Sequence, residues 1–352
     1  MFSKKITDWY NDFGRSLPWR GIDDPYKIWL SEIILQQTRI EQGRDYYLLF
    51  IETFPTVMDL AHASEQEVLK LWQGLGYYSR ARNLHAAARY IADDLGGVFP
   101  NTHQGILALK GVGRYTAAAI ASFAFKLPYP VIDGNVYRFI SRLYGITTPI
   151  NSTSAYNEFE TLLNKLIDRK NPDIFNQAIM DFGSLWCKPT QPNCNECPFR
   201  NECVALKQNK IDLLPVKSPP VAVKERWFYY FHLEWQNGNT RQTLMHQRQG
   251  KDIWKGLYEF PLYESPRQLT PEEVEQQTLA FLKSVHIANA EKTLVSEVLT
   301  HKLTHRTIRA SFVHVFLPPE SNPAPQGDAV FSNEEIKKLP ISRLIDRYLT
   351  KL

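Results

Sequence analysis

Four sets of residues in this chain have the types and spacing for chemistry, and the tightest is a group of cysteines. Cys187, Cys194, Cys197 and Cys203 are the only cysteines in 352 residues, spaced Cys-x6-Cys-x2-Cys-x5-Cys. Thiols this close in sequence cannot staple a large fold, but they can converge on one inorganic centre, and four thiolates suit either zinc or an iron–sulfur cluster. A second candidate is Glu32, inside KIWLSEIILQQ (27–37), with Ile28, Trp29 and Leu35 on its own helical face. A carboxylate on an apolar face must be paired, protonated or functional, because desolvation disfavours its charge; periodicity alone reads it as a buried structural glutamate. Asp133, in VIDGNV (131–136), reads most simply as the N-cap of the helix that follows. Finally, Gly111 and Gly113 precede a helix. They could expose backbone N–H groups at its positive end as a phosphate site, or simply form a turn between packed helices.

The elements that must position these residues fall into two textures. Residues 1–207 read as helical. Asp24-Pro25 is an N-cap followed by proline at the first helical position, opening a helix expected to run through Tyr46. Further helical patterns cover Glu65–Trp72, Ser79–Leu95, Tyr115–Phe125, Val136–Tyr144, Ala155–Lys170 and Ile174–Leu185. Residues 208–225, QNKIDLLPVKSPPVAVKE, read as an extended connector. From 226 to 352 the aromatic and β-branched runs RWFYYFHLEW, QTLMHQR, WKGLYEFP and IRASFVHVFLP alternate with turns, and PEEVEQQTLAFLKS is helical. The fold class expected is multidomain: an all-α domain closed by the cysteine loop, then a smaller α+β domain.

Composition narrows the classes. Hydrophobic residues at 43% are ordinary for a globular protein. No run of eighteen apolar residues occurs, so no membrane partner is expected. The N-terminus lacks a signal-peptide core, which makes the cytoplasm the default. A net charge of +4 permits nucleic-acid binding but does not argue for it, so any phosphate contact must come from local geometry.

The hairpin segment LKGVGRYTAAAI (109–120) resembles the helix-hairpin-helix motif of DNA-repair glycosylases, in which the hairpin grips one DNA phosphate through Gly111 and Gly113 without reading sequence. Together with LPWR (17–20), DPYKIWLSEIILQQTRI (24–40), LWQGLGYYSRARNL (71–84), VIDGNV and the cysteine spacing, it makes the chain resemble the MutY family of adenine DNA glycosylases. That resemblance implies a 4Fe-4S cluster on the four cysteines and excision of a flipped-out adenine mispaired with 8-oxoguanine or guanine. It makes Glu32 the proton donor to the base and Asp133 the group that stabilises the positive sugar, with Tyr115 and Asn135 positioning them. It places Trp19, Arg20 and Gln177 at the adenine, Tyr77 stacked beside 8-oxoguanine, and Gln36 or Gln37 as the wedge that fills the gap.

The alternative is an endonuclease III-like glycosylase/lyase for oxidised pyrimidines. Its chemistry needs a lysine nucleophile just after the hairpin glycines, and Tyr115 stands there; a phenol cannot form an imine. Neither Lys110 nor Lys126 occupies that place. A non-catalytic iron–sulfur DNA binder is disfavoured because such a protein has no need of a buried glutamate. Hydrolysis of a glycosidic bond needs no electrons, so the cluster is expected to order residues 188–202 and present Lys188 and Arg200 to phosphates.

The C-terminal region resembles a Nudix fold through WKGLYEFP, but SPRQLTPEEVEQQTLAFLK lacks the REx2EE core that holds magnesium, so nucleotide hydrolysis is not expected. In the family this domain recognises 8-oxoguanine through a short loop, matched here by Leu303-Thr304-His305. Leu303 stands where an aromatic is common, while Thr304 and His305 retain hydrogen-bonding groups. The expected partner is double-stranded DNA carrying adenine opposite 8-oxoguanine, bound by a monomer in the bacterial, nucleoid-associated cytoplasm. The resemblance also makes a sliding clamp or mismatch-repair factors possible partners.

Overall fold

The computed structural model describes residues 2–219, 223–323 and 327–352. The chain forms two compact units: Met1–His62 with Asn83–Pro219, and Ala63–Arg82 with Pro220–Leu352. The helices in chain order are α1 (Phe2–Phe13), α2 (Pro25–Leu35), α3 (Ile40–Thr53), α4 (Val57–His62), α5 (Glu65–Leu71), α6 (Ser79–Asp93), α7 (His103–Leu107), α8 (Arg114–Phe123), α9 (Gly134–Tyr144), α10 (Thr153–Leu166), α11 (Pro172–Asp181), α12 (Val204–Lys207), α13 (Pro271–Ser284), α14 (Asn333–Ile336) and α15 (Arg343–Leu349).

In the first unit, α2 begins as expected. The Asp24 carboxylate accepts from Tyr26 N at 3.0 Å and Lys27 N at 3.3 Å, and Pro25 follows at the first position. Residues 28–34 are all buried, Ser31 and Glu32 among them, so this helix lies in the core. It stops at Leu35 rather than continuing to Tyr46. Gln36 is extended and Gln37 takes a left-handed φ of 57°, after which α3 restarts at Ile40. The reversal brings Gly43 of α3 onto Leu35, where a Cβ would lie 2.6 Å from Leu35 Cδ2.

Helix α9 buries Val136, Phe139, Ile140 and Leu143 against Trp9, Phe159 and Phe182. It ends at Gly145, whose φ of 71° caps it in the left-handed conformation. The helix expected over Ile174–Leu185 is α11, followed by a widened π-turn over Phe182–Trp186. Gly183 in that turn lies so close to α9 that a Cβ would sit 2.5 Å from Asn135 O. Only glycine permits that approach, and the wider turn is the local accommodation of it. Part of the expected connector, residues 220–222, lies outside the described residues. Its earlier part is pinned to the first unit by Ile150 N to Val216 O (3.0 Å) and Ser218 N to Asn151 Oδ1 (2.8 Å).

Among the described residues, the second unit is an eight-stranded sheet with helices. Strand β1 (Lys224–Asn237) pairs antiparallel with β2 (Thr240–Gln247), which also carries β3 (Tyr258–Glu259). The short β4 (Leu262–Ser265) pairs with β1. Strands β5 (Lys292–Val295) and β6 (Leu299–Lys302) both pair with β7 (Arg306–Phe316), and β8 (Ala329–Ser332) with β2. Its centre is parallel: β1 and β7 run side by side from Lys224↔Arg306 to Glu234↔Phe316. Alternation puts Tyr229, Phe231, Leu233 and Trp235 against Val274 and Leu282 of α13. The other face carries Tyr230 and Phe312, on which Tyr348 of α15 stacks at 3.9 Å.

Residues 63–82, read from sequence as part of the helical region, group with this second unit. Gln66 Nε2 donates to Tyr258 Oη (2.9 Å), Lys70 Nζ to Leu339 O (3.0 Å) and Arg82 Nη1 to Lys255 O (2.6 Å). Gly256, at a φ of +83°, makes room for Leu69.

Candidate active site

Two carboxylates of the first unit stand together with a phenol. Glu32 lies in the middle of the core helix α2 and is 7% exposed. Its partner is the Tyr115 hydroxyl, from the first turn of α8. Burial pushes the Glu32 pKa up to about 7; the Tyr115 hydrogen bond opposes the rise and the nearby Asp133 charge adds to it. Tyr115 itself is pushed well above the ordinary phenol value by burial and by the two carboxylates.

Asp133 caps α9. Its Oδ1 accepts from Asn135 N (2.8 Å) and Val136 N (2.7 Å), and its Oδ2 accepts from Asn135 Nδ2 (2.7 Å). Burial raises its pKa, while these donors and Arg138 pull it back. The N-cap expectation is met, and the cap fixes the orientation of this carboxylate.

Around them runs a polar network that brings Arg20 and Gln177 together. Arg20 donates to Asp181 through Nη1 (2.6 Å) and Nη2 (2.7 Å) and to Tyr10 Oη (3.3 Å), and Tyr10 Oη donates to Gln177 Oε1 (2.8 Å). Trp19 packs its ring edge-on against Tyr47 at 5.2 Å. Gln36 reaches the other way, donating from Nε2 to Thr116 Oγ1 of α8 at 3.2 Å. The glycine hairpin joins α7 to α8: Gly111 has a φ of +82° and sits against Asn83, where a Cβ would be 2.6 Å from that side chain, whereas Gly113 faces open space and caps α8 with no side-chain bond. Lys126, the other cation near the hairpin in sequence, is paired with Asp173 at 2.7 Å.

The four cysteines are unlinked by disulfides and line one cavity walled by Phe139, Phe182, Trp186 and Phe199. Burial pushes the Cys197 thiol up to about 12, with the charges of the other three adding to the rise, so four thiolates need a cationic centre to coexist. Among the described residues, a histidine–glutamate group of the second unit brings three ligand atoms within 4.8 Å of one another, and no three cysteine sulfurs do so. One zinc would hold thiolates about 3.8 Å apart at Zn–S distances of about 2.3 Å. The wider cysteine set suits a multi-iron cluster better.

In the second unit, Tyr77 is 47% exposed at a left-handed φ of 46°. Its hydroxyl bonds Thr304 Oγ1, and the Arg80 guanidinium is 5.6 Å from its ring centre and 5.0 Å from that of Trp72. Thr304 and His305 are the exposed tip of a tight β6–β7 hairpin closed by Leu303 N to Arg306 O (2.8 Å). Arg306 anchors that hairpin to Asp252 at 2.5 Å.

Comparison with known proteins agrees with both units. A family model described as HhH-GPD superfamily base excision DNA repair protein matches residues 30–168, and a NUDIX domain model matches 230–351. An adenine DNA glycosylase from Buchnera aphidicola (subsp. Baizongia pistaciae) is 36% identical over 314 residues, spanning 88% of this chain and 84% of that protein. The chain belongs to the adenine DNA glycosylase family. It is an enzyme of base-excision repair. The rat adenine DNA glycosylase is 41% identical over 226 residues, 61% of this chain and 44% of that protein. A thermostable thymine-DNA glycosylase superposes with a TM-score of 0.55 at 30% identity, over 59% of this chain and 95% of its own. An endonuclease III in complex with DNA (TM-score 0.51, 22% identity, covering 59% of this chain and 94% of its own) shares the helical fold.

Several residues that position this glycosylase's site escaped the sequence reading. Asp181 is fully buried and receives Arg20 and Arg15 together, the latter through Nε at 2.9 Å. Asn176, buried, accepts from Val131 N at 3.0 Å and fixes the segment leading to Asp133. Arg138 donates to Asn135 Oδ1 (2.9 Å) and to Cys187 O (2.8 Å), and Arg142 donates to Cys187 Sγ (3.5 Å), Lys188 O (2.7 Å) and Pro189 O (3.0 Å). Helix α9 thus carries Asp133 at its start and grips the cysteine loop along its length. The i, i+4 spacing of Arg138 and Arg142 on a helix otherwise packed in the core was the available signal.

Proposed function

We propose that this glycosylase hydrolyses the N-glycosidic bond of adenine opposite 8-oxoguanine, or guanine, with Glu32 as acid and Asp133 as the stabiliser of the sugar cation. What carries the reading is the contrast between the two neighbouring carboxylates: one buried on an apolar helix with its pKa near neutrality, the other held by three N–H donors. Two carboxylates in such different settings divide acid and electrostatic roles. Glu32 gives its proton to a ring nitrogen of the flipped adenine, the C1′–N9 bond breaks, and its electron pair leaves with the base. Asp133, ionised, stabilises the positive charge developing at C1′, its geometry fixed by Asn135. Water then adds to C1′, Glu32 takes the proton back, and the products are free adenine and an apurinic site. Tyr115 donates to Glu32 and has no amine to attack C1′, which makes the enzyme monofunctional.

Trp19, Arg20 and Gln177 line the adenine pocket in this account, with Asp181 holding the guanidinium. Gly111 and Gly113 offer the hairpin backbone and the positive end of α8 to one phosphate. Tyr77 stacks beside 8-oxoguanine, Gln36 or Gln37 fills the gap left by the flipped base, and Thr304 and His305 supply hydrogen bonds to the lesion. The bond between Tyr77 and Thr304 supports treating them as one reader. Cys187, Cys194, Cys197 and Cys203 would hold a 4Fe-4S cluster, which supplies a rigid cross-link for residues 188–202 and no step of the hydrolysis. A sliding clamp and mismatch-repair factors belong to the same reading as partners.

The test is to incubate the chain with duplexes carrying adenine opposite 8-oxoguanine, adenine opposite guanine, and an oxidised pyrimidine. Strand scission at adenine only after alkali, with no complex trapped by borohydride, is the expected result. Scission without alkali, or trapping on the oxidised pyrimidine, would establish the lyase alternative instead.

A further inference from the structure

We propose that the second unit holds a divalent transition-metal ion of the zinc class on His232, Glu234 and His314. The three stand on one face of the parallel pair at the centre of the sheet: His232 and His314 are register partners across β1 and β7, and Glu234 follows two residues along β1. One ligand atom from each lies within 4.8 Å of the others. Both histidines are buried, and Glu234 lies half-buried near the strand end.

Three details point to an ion rather than to ordinary core packing. His314 Nε2 is buried and faces Glu234 Oε2 at 3.6 Å, an ion-pair contact longer than a normal hydrogen bond. An ion about 2.1 Å from each atom would subtend an angle of about 120° across that gap, close to tetrahedral. His232 Nδ1 is 3.0 Å from Tyr348 Oη, which leaves Nε2 for the ion and supplies the outer-shell bond that ligating histidines usually make. The second oxygen of Glu234 is likewise engaged, by Arg241 Nη1 at 3.3 Å. The two rings stack at 4.1 Å, so binding must tilt them to converge on one ion. Two histidines and a carboxylate leave a fourth position for water, and the ion would cross-link β1 to β7.

The test uses the full chain with its iron and sulfide content verified, titrated with zinc chloride. Calorimetry and metal analysis after desalting should give one zinc per chain in addition to the iron, and zinc-edge X-ray absorption should show nitrogen and oxygen neighbours with no sulfur. Glu234→Gln, which preserves volume at a half-buried position, should weaken zinc binding at least tenfold while leaving adenine excision unchanged; His314→Asn should abolish the binding. If His314→Asn does not fold, Glu234→Gln alone decides. Failure of the wild-type chain to retain zinc, sulfur in the coordination shell, or undiminished zinc in Glu234→Gln would each overturn the site.

Discussion

Burying Glu32 carries a stability cost that depends on pH, and replacing it with glutamine exposes that cost directly. In the unfolded chain this carboxyl titrates at its ordinary value of 4.5, and in the folded unit at about 7. The folded state therefore binds the proton more tightly. Its contribution is fully present below pH 4.5 and is lost as pH rises through 7. A difference of about 2.5 pKa units corresponds to about 3 kcal/mol. Glu32→Gln cannot titrate, so relative to wild type it should gain about 2–3 kcal/mol between pH 5 and pH 8.5. Urea unfolding of both proteins at the two pH values, followed through the tryptophan fluorescence of the first unit, measures this. A wild-type-to-variant difference that stays flat with pH, or that moves against the variant as pH rises, would refute a proton-holding Glu32.

Tyr115→Phe removes the hydrogen bond that lowers the Glu32 pKa. The alkaline limb of the single-turnover rate profile should then move to higher pH by about one to two units, since a bond to a charged group is worth about 1.5–3 kcal/mol; a limb that stays put separates Tyr115 from Glu32. Asp181→Asn leaves Arg20 and Arg15 without their carboxylate and should destabilise the first unit by about 3 kcal/mol, read as a lowered urea midpoint at unchanged slope. The pair Thr304→Ala/His305→Ala should cut the preference for adenine opposite 8-oxoguanine over adenine opposite guanine about tenfold for each lost hydrogen bond of about 1.4 kcal/mol. An unchanged ratio of the two excision rates would remove the hairpin tip from recognition.

What could be read from sequence was what depends on neighbours along the chain. Asp24 and Asp133 cap the helices they precede because capping is local, and the aromatic and β-branched runs of β1 and β7 mark strands for the same reason. Glu32 stood out because Ile28, Trp29 and Leu35 share its helical face. The break at Gln37 was hidden, since helical propensity continues through 36–39 and only the packing of Gly43 on Leu35 reverses the chain. The π-turn at Phe182 arises from the approach of Gly183 to Asn135, a contact between residues far apart in sequence. Asp181 carries no local mark, because its partners Arg15 and Arg20 lie more than 160 residues away in sequence. The assignment of residues 63–82 to the second unit likewise rests on bonds to residues near 255 and 340 that no local pattern encodes.

The division of labour between the carboxylates is tested most directly by single-turnover excision of adenine opposite 8-oxoguanine, comparing wild type with Glu32→Gln at saturating enzyme. The variant should bind the mismatched duplex as tightly as wild type and form no alkali-labile site, because the base cannot leave without its proton donor. Excision by Glu32→Gln at the wild-type rate would contradict the account and return Glu32 to a structural role.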